Sequence, residues 1–283
     1  MTEGEEASVA MRPPDTIRDR LWLWGMKVNV LQEAKAFSAI PMESSTMIVE
    51  DAIRRTGVTN VVLAGGLPLT RGSLDSMPSA TRVICKTGLH RAAGEARYAV
   101  DYAACLARLR EAKALATADT RIEGFHLDDF STGGIDAGVS PDHLSSLAFE
   151  NSIRSPALPF SATIYTMSVE RPELPALLPH FARFIVPLWH ADQIGTVPGA
   201  LSRLSQLSGR KPMLLCLYVI DFGNQRPIPG LLMQRHLDLA TEWLMDKRIA
   251  GMVICGTCMM DLDWEANRCF YAWLDRAGDL PVE

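Results

Sequence analysis

Short apolar runs recur along the chain, each followed by a polar or Gly/Pro break and then by a stretch of helical period. The runs cover Leu21–Gly25, 60–66, Arg82–Gly88, 122–130, 160–167, 183–189, 212–222 and 251–259. Helical stretches fall around 45–55, over 94–114, after Ser140-Pro141, up to 177, and over 198–207, 231–246 and 264–277. In 94–114, Tyr98, Tyr102, Cys105 and Leu109 are spaced so that one face is apolar. Ser140 followed by Pro141 has the form of an N-cap and a first-turn proline. Only the second helical slot, after residue 66, is poorly defined.

Alternating β and α units of this kind predict an α/β fold, a single (β/α)8 TIM barrel over residues 21–283 preceded by an N-terminal extension over 1–20. Near-continuous apolar strands suit a parallel sheet buried on both faces. The length of 283 residues fits one such barrel, typically ~250 residues. A doubly wound open sheet is the alternative, but no Gly-rich phosphate loop follows the first strand. The sequence points to no cofactor.

Composition narrows the partners. With 48% hydrophobic and 22% charged residues a large core is expected. The net charge is −5 and no basic patch stands out, which argues against nucleic acid and membrane surfaces as partners. The first 20 residues are acidic and polar without an apolar segment, and no run approaches 18 apolar residues. These features lead to the expectation of a cytoplasmic protein with reduced, buried thiols at its six cysteines.

In a barrel of this kind polar residues at the strand C-termini are the functional candidates. They are Trp24, Lys86 and nearby His90, then His126, Asp128 and Asp129, then Tyr165, Trp189, His190, Tyr218 and Asp221, and finally Asp261 and Asp263. Carboxylates and aromatics with few cations suit a neutral sugar-containing small molecule. The sharpest segment is GFHLDDF, residues 124–130, an apolar strand ending in two aspartates. Alternation puts His126 and Asp128 on one face, so one aspartate is expected to face the mouth and the other the helix layer or a following turn.

This segment resembles the fourth-strand motif of alpha-amylase-type glycosidases, with His126 at the arginine position and Asp128 at the nucleophile. It is also similar to the chitinase pattern, with Glu123, His126 and Asp128 at the three aspartates. In that alignment Phe130 stands where the catalytic glutamate would be, and the fifth strand carries no glutamate for an amylase-like acid. The chain as a whole resembles TIM-barrel proteins grouped with glycoside hydrolases.

The expectation is a glycosidase-like enzyme with Asp128, Asp129 and Asp221 as catalytic carboxyls. Trp24, Lys86, His90, His126, Tyr165, Trp189, His190, Tyr218 and Asp261 would bind substrate. Asp263, just ahead of a helix, reads as an N-cap. Alternatives are a Lys86 Schiff-base lyase or aldolase and a non-catalytic sugar-binding barrel. Metal binding by His90, His126, Asp128 and His190 lacks a His-x-His pair to support it, so no metal is expected. Cys255-x-x-Cys258 reads as buried thiols rather than a redox pair.

Overall fold

The computed structural model describes residues 15–28, 45–64, 68–92, 98–153 and 155–282. Residues 1–14 of the expected extension, Gly65 and Gly66 of the second run, and 94–97 of the third helical stretch lie outside the described residues.

Eight parallel strands close into a barrel: β1 Leu21–Gly25, β2 Asn60–Leu63, β3 Arg82–Gly88, β4 Ile122–Asp128, β5 Phe160–Thr163, β6 Arg183–Pro187, β7 Met213–Tyr218 and β8 Gly251–Cys255. Each pairs with its sequence neighbours, and β8 closes on β1 with Trp24 opposite Cys255. One helix follows each strand among the described residues: α1 Val49–Thr56, α2 Arg71–Asp75, α3 Tyr102–Ala118, α4 Pro141–Ile153, α5 Leu174–Leu177, α6 Val197–Ser208, α7 Gly230–Met245 and α8 Glu265–Ala277. This is the TIM barrel that the alternating pattern implied. None of these helices is long and apolar enough to cross a membrane.

The register sets which side chains enter the barrel. Trp24 lies opposite Val62, Val62 opposite Ile84, and Lys86 opposite His126. One parity of positions therefore points inward around the ring. At the N-terminal end, the Arg82 and Arg183 guanidinium carbons lie 4.8 and 5.8 Å from the Trp22 ring centre. Glu123 accepts from both arginines, at 2.6 Å from Arg82 Nε and 3.0 Å from Arg183 Nη1. This ionic and aromatic cluster sits at the N-terminal ends of the strands. It also holds Glu123, at the first aspartate of the chitinase pattern, at the end opposite the mouth.

Several elements stop earlier than the apolar runs. β4 ends at Asp128 and gives way to a π-helical turn, Phe130–Gly134. β5, β6 and β8 end at Thr163, Pro187 and Cys255, and their last apolar residues form loops and 3-10 turns over the mouth. Ile220-Asp221 leave β7 to pair with Arg226-Pro227 in a small hairpin. Tyr98 lies not on α3 but on an antiparallel pair, His90–Ala92 with Tyr98–Val100. The Asp101 carboxylate then accepts from Ala104 N and opens α3 at Tyr102. Residues 15–20 of the expected extension pack with the barrel: Ile17 is buried and Thr16 bridges Pro281.

Candidate active site

β4 delivers three polar side chains in succession. His126 is fully buried and points into the barrel, with Nδ1 2.9 Å from Ser161 Oγ and Nε2 2.9 Å from Thr163 Oγ1, both on β5. Thr163 in turn donates to Asp128 Oδ1 at 2.9 Å, while Lys86 Nζ lies 2.6 Å from Asp128 Oδ2. Because Thr163 spends its proton on the carboxylate, its oxygen receives the Nε2 proton of His126. Nδ1 then accepts from Ser161. The donors run one way, from Ser161 through His126 and Thr163 to Asp128.

Asp129 departs from the alternation expected of it. Its backbone is left-handed, with φ 47° and ψ 29°, a conformation that aspartate tolerates better than most residues. The turn swings its side chain back to the mouth, so both aspartates line one cavity. Its carbonyl accepts from Thr132 N and Gly134 N in the π-helical turn, and its carboxylate accepts from the Tyr165 hydroxyl at 2.6 Å.

The cavity has a volume of about 180 Å³. Its walls are Trp24, Met26, Asp128, Asp129, Thr163, Tyr165, Ile185, Pro187, Trp189, Cys216, Tyr218, Phe222 and Cys255. One wall is continuous aromatic surface. Tyr165 meets Trp189 edge-on at 5.7 Å, Trp189 stacks on Phe222 at 5.5 Å, and Tyr218 meets Phe222 edge-on at 4.6 Å. Trp24 touches the edge of His126, at 5.6 Å, and carries the Lys86 ammonium 5.8 Å from its ring centre.

Charge is divided unequally between the two aspartates. Burial works against ionising Asp128, but the Lys86 ammonium and the Thr163 hydrogen bond hold its carboxyl below the ordinary range. Repulsion from Asp128, and then burial, push Asp129 up to about 6, against the pull of the Tyr165 hydrogen bond. Burial depresses His126 to about 3 and keeps the ring neutral. Burial would also depress Lys86, yet Asp128 outweighs it and raises the amine. A protonated amine has no lone pair with which to attack a carbonyl, so the pairing with Asp128 works against Lys86 as a Schiff-base former.

Other sequence-picked residues lie elsewhere. Asp221 is buried and accepts from Asn224 N and Nδ2, at 3.0 and 2.8 Å. It is a turn residue and does not line the cavity, whereas its neighbour Phe222 does. Asp261 accepts from Ser45 Oγ, Thr46 N and Met47 N, at 2.6, 2.8 and 3.2 Å. It therefore anchors the chain entering α1 and does not line the cavity. Asp263 pairs with Arg268, and the residue at the α8 N-cap is Trp264. His90 and His190 pack on glycines outside the cavity lining. A Cβ at Gly133 would stand 2.4 Å from His90 Nε2, and one at Gly223 would stand 2.2 Å from His190 Nδ1. With both nitrogens of His126 taken as well, the four residues considered for a metal do not converge. Burial pushes the Cys258 thiol up to about 12, and Cys255 also lies well above its ordinary value through Cys216 and burial. Both are inert, protonated thiols.

Thr163, Phe222, Cys216 and Cys255 line the site but were not among the site residues chosen from the sequence. Thr163 was detectable: Ser161 and Thr163 share the inward parity of β5.

No protein-family profile matches the chain, and no curated protein matches it in sequence. Its fold is similar to active domain 2 of a thermostable chitinase from Pyrococcus furiosus, solved with chito-oligosaccharides. That likeness has a TM-score of 0.53 at 12% identity and covers 94% of this chain and 98% of that one. A spore cortex-lytic enzyme of Bacillus megaterium gives 0.55 at 10% identity over 95% and 76% of the two chains. A methyltransferase from Methanosarcina mazei gives 0.50 at 12% identity over 93% and 95%. Likeness at this identity is one of fold, and the fold spans hydrolases and a transferase.

Proposed function

We propose that this protein is a glycoside hydrolase acting on a small sugar-containing substrate, with Asp129 as the proton-transferring group. The observation that carries the reading is the split between two adjacent carboxyls in one aromatic-walled cavity. Asp128 is held ionised by Lys86 and Thr163, while Asp129 is pushed up to about 6. Two carboxyls whose surroundings drive them apart are what acid-catalysed cleavage of a glycosidic bond requires.

In this reading the apolar face of a sugar ring lies against the aromatic wall. Protonated Asp129 gives its proton to the departing glycosidic oxygen, and the C–O bond breaks toward that oxygen. The anomeric carbon becomes oxocarbenium-like, and the fixed negative charge of Asp128 stabilises it. Asp129, now ionised, takes a proton from the water that adds to the carbon, which restores the starting state. Each Asp128 oxygen already accepts one strong donor. That favours a role as fixed charge over one as nucleophile. A cavity of about 180 Å³ lies below the ~300–1,000 Å³ of pockets for drug-sized ligands, so it suits a single ring.

The test is hydrolysis of a panel of aryl and alkyl monoglycosides by the wild type, Asp129→Asn and Asp128→Asn. Loss of the acid should slow alkyl glycosides far more than nitrophenyl glycosides, whose leaving group needs no proton. Turnover unchanged in both variants would sink the assignment. Sugar binding in calorimetry without turnover would make the barrel a binding protein.

A further inference from the structure

We propose that the N-terminal face of the barrel, opposite the aspartates, binds a small organic polyphosphate in a cavity where Arg20, Arg210, Lys211, Lys247 and Arg248 converge. The cavity has a volume of about 650 Å³, within the ~300–1,000 Å³ typical of small-molecule sites. It opens where β1, β7 and β8 begin, between the C-terminal ends of α6 and α7. No aspartate or glutamate lines it, although the chain as a whole carries a net charge of −5. Concentrating five cations around one concavity in an acidic protein raises the local potential for anions.

The cations hold capacity in reserve. Among the described residues no carboxylate pairs with Arg210, Lys247 or Arg248, and all three are exposed. Arg210 and Lys247 sit in left-handed turns just after α6 and α7, with φ of 64° and 58°. Long side chains rarely adopt that conformation, and such outliers concentrate at ligand clamps. Lys211 Nζ donates to the Leu178 and Pro179 carbonyls at 3.0 Å each, which leaves its third N–H. Arg20 pairs with Asp15 through Nη2 at 2.9 Å, yet its Nε is buried with no acceptor.

The ligand class follows from this distribution. Cations on separate turns match more than one phosphoryl group, and guanidinium forks match phosphate oxygens. Leu201, Met213 and Ile249 add an apolar floor, which suits an organic body attached to the phosphates. The concave shape favours a small molecule over a duplex nucleic acid. In this architecture the N-terminal face serves stability, so the bound ligand should raise Tm by mass action.

The experiment is calorimetry and thermal unfolding of the full chain with ADP, inorganic pyrophosphate and sulfate, at constant ionic strength. ADP is expected to bind saturably at one site, about tenfold or more tighter than sulfate, and to raise Tm. Lys247→Glu combined with Arg248→Glu should weaken that binding about tenfold or more with an unchanged ligand-free Tm. Arg276→Glu, an exposed reversal on α8, should leave it intact. Pyrophosphate binding as tightly as ADP supports the same site. Absence of saturable binding at millimolar ADP, an equal response to sulfate, or equal loss in Arg276→Glu overturns the proposal.

Discussion

The Tyr165 hydroxyl donates to Asp129 Oδ1 at 2.6 Å, while Asp128, one residue earlier, sends both of its oxygens to other partners. Tyr165 therefore stabilises the ionised form of the proposed proton donor. Removing that hydrogen bond by Tyr165→Phe should raise Asp129 further above about 6. In a pH–rate profile the descending limb of kcat, where Asp129 loses its proton, should move to higher pH. A limb that stays in place would dissociate Asp129 from the rate.

Asp129 should also cost stability at neutral pH. Its carboxyl is raised in the folded state, from 3.8 to about 6. Its favourable contribution is thus complete below pH ~4 and lost as pH rises through about 6. Asp129→Asn keeps an acceptor for Tyr165 and removes the charge. Thermal unfolding at pH 8 should show the variant more stable than wild type by up to ~3 kcal/mol. At pH 4 the gain should vanish.

Lys86→Met should destabilise the barrel by up to about 3 kcal/mol, because it leaves the Asp128 carboxylate without its cation in a partly buried setting. Replacing both partners, as Lys86→Met with Asp128→Leu, should recover much of the loss. Denaturant midpoints of the two variants check this. Activity should be lost in both.

His126 should resist protonation under mildly acidic conditions. Burial depresses it to about 3, below its unfolded value of 6.5. Its contribution is therefore present above pH ~6.5 and is lost as pH falls through about 3. Nitrogen NMR at pH 5 should report a neutral ring with the proton on Nε2. A charged ring, or a proton on Nδ1, would contradict the donor order from Ser161 to Asp128.

The barrel was legible because each strand is an apolar run closed by a break, a signal that survives without relatives. The site was legible only where it follows strand parity. Trp24, Lys86, His126 and Asp128 fall on inward positions that alternation gives directly. That Asp129 joins Asp128 at the mouth was not legible, because a single left-handed residue reverses its direction and no periodicity encodes that. Asp221 and Asp261 were chosen as acids near strand ends, but the loops there need acceptors for their own N–H groups, and those aspartates supply them. The basic cavity was invisible for another reason: its cations come from residues 20, 210, 211, 247 and 248, and only closure of the barrel gathers them.

The two acidic groups at the mouth are joined by a single peptide unit, so their Cα atoms are ~3.8 Å apart whatever the surrounding loops do. In most barrel enzymes the reacting groups belong to different strands, and their spacing depends on how those strands are held. Here breathing of the rim changes what can enter, while the covalent link fixes only the Cα spacing and the left-handed turn at Asp129 sets how the two carboxyls face each other. Under the proposed function, substitutions in the aromatic wall should change substrate preference while leaving that turn, and the carboxyls it orients, in place.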